Sequence, residues 1–360
     1  MKSGLPLDCI YHGDCIEVLA GLPEKSIDVV FADPPYNLQL QHDLYRPNMT
    51  KVDAVTDAWD QFPDLAAYDD FTRRWLTACR RVLKDTGTLW VIGSYHNIHR
   101  VGSIMMDLDY WILNEIIWER ANPMPNFRGS RFNNAHETLI WAQKEQGKRY
   151  TFNYHAMKTG NDDKQMRSVW TLPICSGAER IQVNGAKAHS TQKPEALLAR
   201  IINSSTHPGD IILDPFFGSG TTGAVAKRLR RHWIGIERDP AYITVAHERI
   251  DKVQPASQDE AVYQPSNKPK ERRIPFAHLL EAGLLQPGQQ LRFEGGEIYT
   301  TITADGALIY DDGQTVQRGS IHKIASTLLN APGNGWTYWY FRDADGKWQM
   351  IDTLRQKLRG

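Results

Sequence analysis

The chain of 360 residues carries 42 Lys plus Arg against 42 Asp plus Glu, with 41% hydrophobic residues. That length allows one large domain or two ordinary ones, and the balanced charge excludes a uniformly basic nucleic-acid binder, so any such surface is a local patch. Four scattered cysteines without C-x-x-C or Cys/His ligand spacing point to neither a zinc site nor a disulfide framework, and with no sustained apolar leader or membrane-length run the expectation is a cytoplasmic protein.

Residues 9–11 read as a short strand, followed by the turn His12-Gly13-Asp14 and a helix start, with Asp14 as a helix N-cap or a ligand contact. The apolar run 27–32 reads as a buried strand that ends in Asp33-Pro34-Pro35-Tyr36. Each proline fixes its own φ, removes a donor and drives the residue before it toward extended backbone, which leaves carbonyls to accept from a ligand. Asp33 adds a carboxylate and Tyr36 a flat face. An exocyclic amino group, as on adenine or cytosine, is held by two such acceptors while its ring stacks on the phenol. Taken alone, D-P-P-x also reads as a capped turn at a strand end. Asp14 and Asp33 are expected at neighbouring strand ends, where ligands collect in open α/β sheets.

Residues 37–64, including Asn37, Leu38, Gln39 and Arg46, are polar and irregular and read either as a surface loop or as a cover over substrate. A helix is predicted over 65–83, closed by a glycine stop at Lys84-Asp85-Thr86-Gly87, then a strand over 88–93, a helix over 96–108 and a strand over 111–118. Repetition of strand and helix argues for a parallel sheet covered on both faces. Between 119 and 158 amides, arginines and phenylalanines interleave, among them Asn122, Asn126, Arg128 and Arg131. These types reach base edges, phosphates and base faces. A strand over 138–142 precedes a mostly irregular stretch over 145–188, and much of a DNA-facing surface is expected within 119–188.

His189-Ser190-Thr191-Gln192-Lys193-Pro194 introduces a helix with Ser or Thr as N-cap; a lysine at that end calls for an anion. A strand over 211–213 leads into Asp214-Pro215-Phe216-Phe217-Gly218-Ser219-Gly220-Thr221-Thr222, a helix over 223–229 and a strand over 233–236 ending at Glu237. A glycine-rich strand-to-helix turn with an acid about 20 residues on suits a nucleoside cofactor, the acid accepting from ribose hydroxyls. Residues 252–273 have linker composition. Beyond them lie a short helix, hairpins at Gly295-Gly296, Asp305-Gly306 and Asp312-Gly313, an aromatic cluster over 336–341 and a terminal helix. Strand alternation there sets Trp336, Tyr338 and Tyr340 on one face and Thr337, Trp339 and Phe341 on the other.

Together, Asp33-Pro34-Pro35-Tyr36 and Asp214-Pro215-Phe216-Phe217-Gly218-Ser219-Gly220 resemble the two hallmark motifs of DNA amino-methyltransferases that use S-adenosylmethionine (SAM), in the order of the circularly permuted β class. Segments 35–40, 122–127, 319–324 and 334–339 extend the resemblance to cell-cycle-regulated adenine methyltransferases of the CcrM type. The resemblance implies a Rossmann-like α/β methyltransferase fold over 1–251, a linker over 252–273 and a small α+β DNA-recognition domain over 274–360. It implies catalysis by Asp33, Pro34, Pro35 and Tyr36. SAM would be held by Asp14, Asp33, Thr191, Gln192, Lys193, Asp214, Phe216, Phe217, Gly218, Ser219, Gly220, Thr221 and Glu237, with Lys193 on its carboxylate and Glu237 on its ribose. DNA would meet Asn37, Leu38, Gln39, Arg46, Asn122, Asn126, Arg128 and Arg131, and in the last domain Ser320, Lys323, Asn334, Trp336 and Arg355. The implied reaction is metal-free methylation of adenine N6 in GANTC of double-stranded DNA, by a base-flipping homodimer tied to replication and the cell cycle. Ser190 departs from the proline common at that position. The rival readings are an N4-cytosine methyltransferase and an inactive SAM- and DNA-binding regulator; Asp ahead of Pro-Pro-Tyr leans toward adenine.

Overall fold

The computed structural model describes residues 4–38, 58–123, 131–183, 185–189, 191–257, 259–265 and 274–359. Gln39, Arg46, Asn126, Arg128 and Ser190 lie outside the described residues. The chain divides into two compact units, Met1–Asn267 and Lys268–Gly360.

In chain order the first unit contains β1 (Cys9–His12), α1 (Cys15–Gly21), β2 (Ile27–Ala32), α2 (Leu65–Val82), β3 (Leu83–Gly93) and α3 (Ile98–Asp107). There follow β4 (Trp111–Arg120), β5 (His136–Gln143), α4 (Tyr154–Thr159), β6 (Val169–Leu172) and a hairpin of β7 (Gln182–Val183) and β8 (Ala186–Lys187). Completing it are α5 (Glu195–Ser205), β9 (Ile211–Asp214), α6 (Thr221–Arg228), β10 (His232–Glu237) and α7 (Pro240–Asp251).

Eight strands form one sheet in the order β1-β10-β9-β2-β3-β5-β4-β6. A strand buried on both faces reads as a continuous apolar run, and β2 does so because Val29 and Phe31 point into one cluster while Val30 and Ala32 point into the other. Helices α5, α6 and α7 cover the first face through Leu197, Ile201, Ala224 and Ile250, and α2 and α3 the second through Trp75, Leu76, Cys79 and Val101. The sheet is not wholly parallel as predicted, since β5 runs antiparallel to β3 and β4, following β4 with no described crossover helix between them. The stretch over 145–188 is more regular than its sequence suggests, supplying α4 and the edge strand β6.

Four other local predictions change. There is no glycine stop after α2; Leu83 caps it and residues 84–87 belong to β3, whose pairing with β2 shifts register between Ile27 and Val29. Gly87 serves this close passage, because a Cβ there would lie 3.0 Å from the Lys84 carbonyl and 3.1 Å from that of Asp28. The N-cap of α5 is Pro194 rather than Ser or Thr, and α6 begins at Thr221, two residues early. Finally, β10 and β9 intervene between β1 and β2, so Asp14 neighbours Glu237, and Asp33 neighbours Asp214.

Within 252–273, the turn Glu260–Tyr263 is tied to the first unit, as Arg231 Nη1 donates to the Tyr263 carbonyl at 3.2 Å. The second unit opens with α8 (Ala277–Glu281), β11 (Gln290–Phe293), β12 (Tyr299–Ile302), β13 (Leu308–Asp311) and β14 (Val316–Gly319). It continues with α9 (Ile321–Leu329), β15 (Trp339–Arg342), β16 (Trp348–Met350) and α10 (Asp352–Arg359). All pairings in its sheet, ordered β14-β13-β12-β11-β15-β16, are antiparallel. Its core includes both Trp336 and Trp339. Residues 335–337 form a 3-10 turn, so the strand alternation expected to separate these two rings does not reach Trp336.

Candidate active site

The carboxyl ends of β1, β2, β9 and β10 open onto a cavity of about 770 Å³. This is where an open α/β sheet leaves a crevice. After β2 the chain runs through Asp33-Pro34-Pro35-Tyr36, and its shape is pinned from below. One carboxylate, Asp60, accepts the amides of Tyr36 at 2.6 Å, Asn37 at 2.9 Å and Leu38 at 2.9 Å. The Pro35 carbonyl is not free, since it accepts from the Tyr68 hydroxyl at 2.9 Å, and Asn97 Nδ2 donates to that hydroxyl at 3.1 Å. Among the described residues no hydrogen bond reaches the Pro34 carbonyl. Of the two proline carbonyls, it is the one left for a ligand.

Around Asp33 lies a buried group of charges. Lys193 Nζ donates to Asp33 Oδ2 at 2.7 Å, with the lysine side chain 8% exposed and the aspartate 16%. The Tyr36 hydroxyl lies 3.0 Å from Asp33 Oδ1 and 3.1 Å from Glu137 Oε2. Lys193 is also 3.9 Å from Glu137, whose other oxygen pairs with Arg120. Two carboxylates thus face two cations around one phenol. Burial works against the Lys193 ammonium, but Asp33 and Glu137 outweigh it and hold the pKa above the usual lysine value. Burial raises the Asp33 carboxyl and Lys193 opposes that rise. Burial and both carboxylates keep Tyr36 a phenol, well above its ordinary pKa.

The far wall is built by the turn after β9. Asp214 accepts the Phe216 amide at 2.9 Å and the Thr222 hydroxyl at 2.6 Å, joining the turn to the start of α6. Glu237 accepts the Gly218 amide at 2.8 Å, and its other oxygen takes the amides of Arg238 and Asp239 at 2.8 Å each. Gly218 has φ +51, and a Cβ there would stand 3.0 Å from His189 Nε2. His189 lies between Trp59 and Tyr242, at ring distances of 6.3 and 4.4 Å, and burial with the charges of Lys193 and Arg180 lowers its pKa to about 4. It is a neutral wall of the cavity.

A family model described as DNA methylase, of the N6/N4 type, matches residues 27–248, more than half of the chain. The chain belongs to the N6/N4 DNA methylase family. A second model, described as Restriction Enzyme Adenine Methylase Associated, matches residues 256–360. This methylase is 48% identical over 352 residues to the type II methyltransferase M.HinfI of Haemophilus influenzae, spanning 97% of this chain and 96% of that relative. It is 42% identical over 244 residues to the type II methyltransferase M2.LlaDCHI of Lactococcus lactis subsp. cremoris, spanning 68% of this chain and 89% of that one. The solved M1.HpyAVI–SAM complex matches with a TM-score of 0.50 at 27% identity, over 67% of this chain and 98% of that chain. The cytosine-N4-specific PvuII DNA methyltransferase, at a TM-score of 0.53 and 21% identity over 71% of this chain and 89% of that one, shares the fold.

SAM is the methyl donor of the family, and the cavity fits it in size, in its aromatic walls and in the glycine-lined passage at Gly218. Glu237 spends three of its about four lone-pair directions on backbone amides, which orients the carboxylate and leaves one for a hydroxyl. Asp14 caps α1 by accepting from the Ile16 amide at 2.9 Å and also lines the cavity. Thr191 and Phe216 line it too, whereas Gln192, Phe217, Ser219 and Thr221 border a smaller adjoining cleft.

Several implied contacts are placed elsewhere. Phe217 is buried and stacked on Trp233 at 5.4 Å. Gln192 is spent on the backbone of Ile181 and Glu179. Gly220, with φ +75, is packed against α7, where an added Cβ would lie 2.8 Å from that of Ala246. Lys193 holds Asp33 instead of standing free for a cofactor carboxylate. Asn37 is buried with φ +53, Asn122 accepts from the Ile174 amide at 3.4 Å, and Arg131 donates to the Tyr95 hydroxyl at 3.0 Å. In the second unit Ser320 caps α9 and Asn334 caps the 3-10 turn. Trp336 is 5% exposed, with the Arg355 guanidinium 4.6 Å from its ring and paired to Asp352. Of that set Lys323 alone is an exposed side chain without such a partner role. The residues missed from sequence are Asp60, Tyr68, Asn97, Arg120, Glu137 and His189; each acts through a partner distant in the chain.

Asp214 gives a pH prediction. Burial raises its carboxyl to about 7, against the hydrogen bonds from Thr222 and Phe216, with Asp33 and Glu237 adding to the rise. A folded pKa above the unfolded value of about 3.9 means stability that is complete below that value and is lost as pH rises toward 7. Asp214→Asn removes the charge, keeps one acceptor oxygen for the Phe216 amide and turns the other contact round, its Nδ2 donating to the Thr222 hydroxyl. The ligand-free variant should therefore show a flatter dependence of its denaturation midpoint between pH ~4 and ~7 than the parent. An unchanged slope would place the titration elsewhere.

Proposed function

We propose that this DNA methylase transfers methyl groups to adenine N6 in double-stranded DNA, within GANTC, after the base has left the helical stack. The observation that carries this is the set presented at the end of β2: the Asp33 carboxylate, the unengaged Pro34 carbonyl and the Tyr36 ring, beside a cavity that fits SAM.

SAM supplies an electrophilic methyl group on its sulfonium. An aromatic amino nitrogen is a poor nucleophile because its lone pair is delocalised into the ring. Accepting its two N–H bonds on Asp33 and the Pro34 carbonyl draws the nitrogen toward tetrahedral geometry and frees the pair. Lys193 and Tyr36 use two of the about four lone-pair directions of Asp33, so the carboxylate still has room for an amino hydrogen. Asp33 then takes the proton that the methylated nitrogen sheds. Tyr36 offers its face to the extruded ring, which offsets part of the few kcal/mol that unstacking costs.

Adenine is favoured by Asp ahead of Pro-Pro-Tyr and by the description of the family that matches the last hundred or so residues. GANTC, the cell-cycle role and work on the nucleoid in the cytoplasm are carried by the resemblance to CcrM-type enzymes. That resemblance and the two-fold target also support a homodimer. The second unit is assigned to DNA recognition.

Incubating the protein with tritiated SAM and duplexes that differ only in the GANTC site should yield N6-methyladenine from the site-bearing duplex alone. Asp33→Ala should remove the product while SAM affinity stays within a few-fold of the parent, on the order of 1 kcal/mol. N4-methylcytosine would reverse the choice of base, and collapse of SAM binding would reverse the role of Asp33. Light scattering at working concentration should report twice the 41.0 kDa chain mass, and a monomer with and without DNA would refute the dimer.

A further inference from the structure

In the second unit one sheet face is packed and the other is not. Leu291, Phe293, Trp339 and Phe341 point inward and are buried. On the opposite face, register places Arg292 directly between Tyr299 of β12 and Tyr340 of β15, and two residues along β15 Arg342 lies opposite Trp348 of β16. Side chains two apart and directly cross-strand share a face. These five therefore form one continuous patch.

Its internal contacts are specific. The Arg292 guanidinium lies 4.6 Å from the Trp348 ring centre and 6.0 Å from that of Tyr340, while Arg342 lies 5.5 Å from Trp348. Tyr299, 42% exposed, borders the same indole at 6.1 Å. Among the described residues neither arginine forms an ion pair. Asp343, next to Arg342, accepts from the amides of Asp345 and Lys347, and Asp305 pairs with Arg318. A guanidinium stacked on a ring is held in place with N–H edges free for a planar or tetrahedral anion.

We propose that this open face, centred on Arg292, Arg342 and Trp348, is a contact surface for the phosphate backbone of duplex DNA. The inference rests on the assignment of the second unit to DNA recognition. Charge complementarity selects the occupant. Two unneutralised cations, pre-stacked on aromatic rings, match a polyanion that the methylase acts on. Contacts of this kind position the duplex without reading its sequence.

The full-length protein is titrated against labelled duplexes with and without GANTC over a salt series, followed by fluorescence anisotropy. Arg342→Glu, and separately the pair Arg292→Gln with Arg342→Gln, should weaken binding to both duplexes by on the order of tenfold. The slope of log affinity against log salt should shrink by about 0.9 for each phosphate that the variant no longer neutralises. SAM affinity and the transfer rate at saturating duplex should be unchanged. Arg342→Lys should keep the slope, because lysine holds phosphate as a point charge. An unchanged slope with Arg342→Glu, or failure of lysine to keep it, overturns the proposal. Loss of dimer mass with an unchanged slope also overturns it, making the face a contact between protein chains. A cytosine product would overturn the adenine assignment while leaving the salt slopes as predicted, so the two failures are distinguishable.

Discussion

The ion pair between Lys193 and Asp33 joins the two halves of the site across 160 residues of sequence. Both groups are nearly out of water, so each is expensive alone; breaking such a pair by removing one partner costs roughly 3–5 kcal/mol. The pair does not stand alone. Glu137 and Arg120, from the antiparallel strands β5 and β4, complete a set of two carboxylates and two cations with Tyr36 at its centre. Placing the turn before α5 against the end of β2 is thus an electrostatic requirement as well as a packing one. The lysine that the sequence motif carries opposes the rise that burial imposes on the carboxyl of the acceptor that the proposed chemistry needs.

Rigidity of the Asp33–Tyr36 loop comes from outside the loop. Two successive prolines remove two donors and restrict the backbone, yet they leave the following amides and the Pro35 carbonyl to be satisfied. Asp60 does the first and the Tyr68–Asn97 pair the second. The Pro34 carbonyl is what remains. A buried polar group without a partner is costly in the resting protein and is worth most to the ligand that supplies one.

Periodicity and turn chemistry made much of the first unit legible: the apolar runs of β2 and β9, the 3.6-residue pattern of α2 and the glycine-rich turn before α6 each carry their own signal. The antiparallel β5 carried none, because strand direction is decided by the connection rather than by the strand. Asp60, Glu137 and His189 were invisible for a related reason, as each is ordinary until folding brings its partner near. Between the adjacent Phe216 and Phe217, the deciding residue is Gly235, whose missing side chain opens the space beside Phe217; an added Cβ would lie 2.4 Å from that ring. In the second unit the aromatic cluster was plain but its faces were not, because a 3-10 turn interrupts the alternation just before β15.

The most direct test is a double-mutant cycle on the pair itself, with Lys193→Met, Asp33→Asn and the double variant compared by equilibrium denaturation of the ligand-free protein. Each single variant strands one buried charge, and the double variant strands neither. The account predicts a favourable coupling energy on the order of 1–3 kcal/mol, with the double variant more stable than Lys193→Met alone. Additive effects, with coupling near zero, would contradict it.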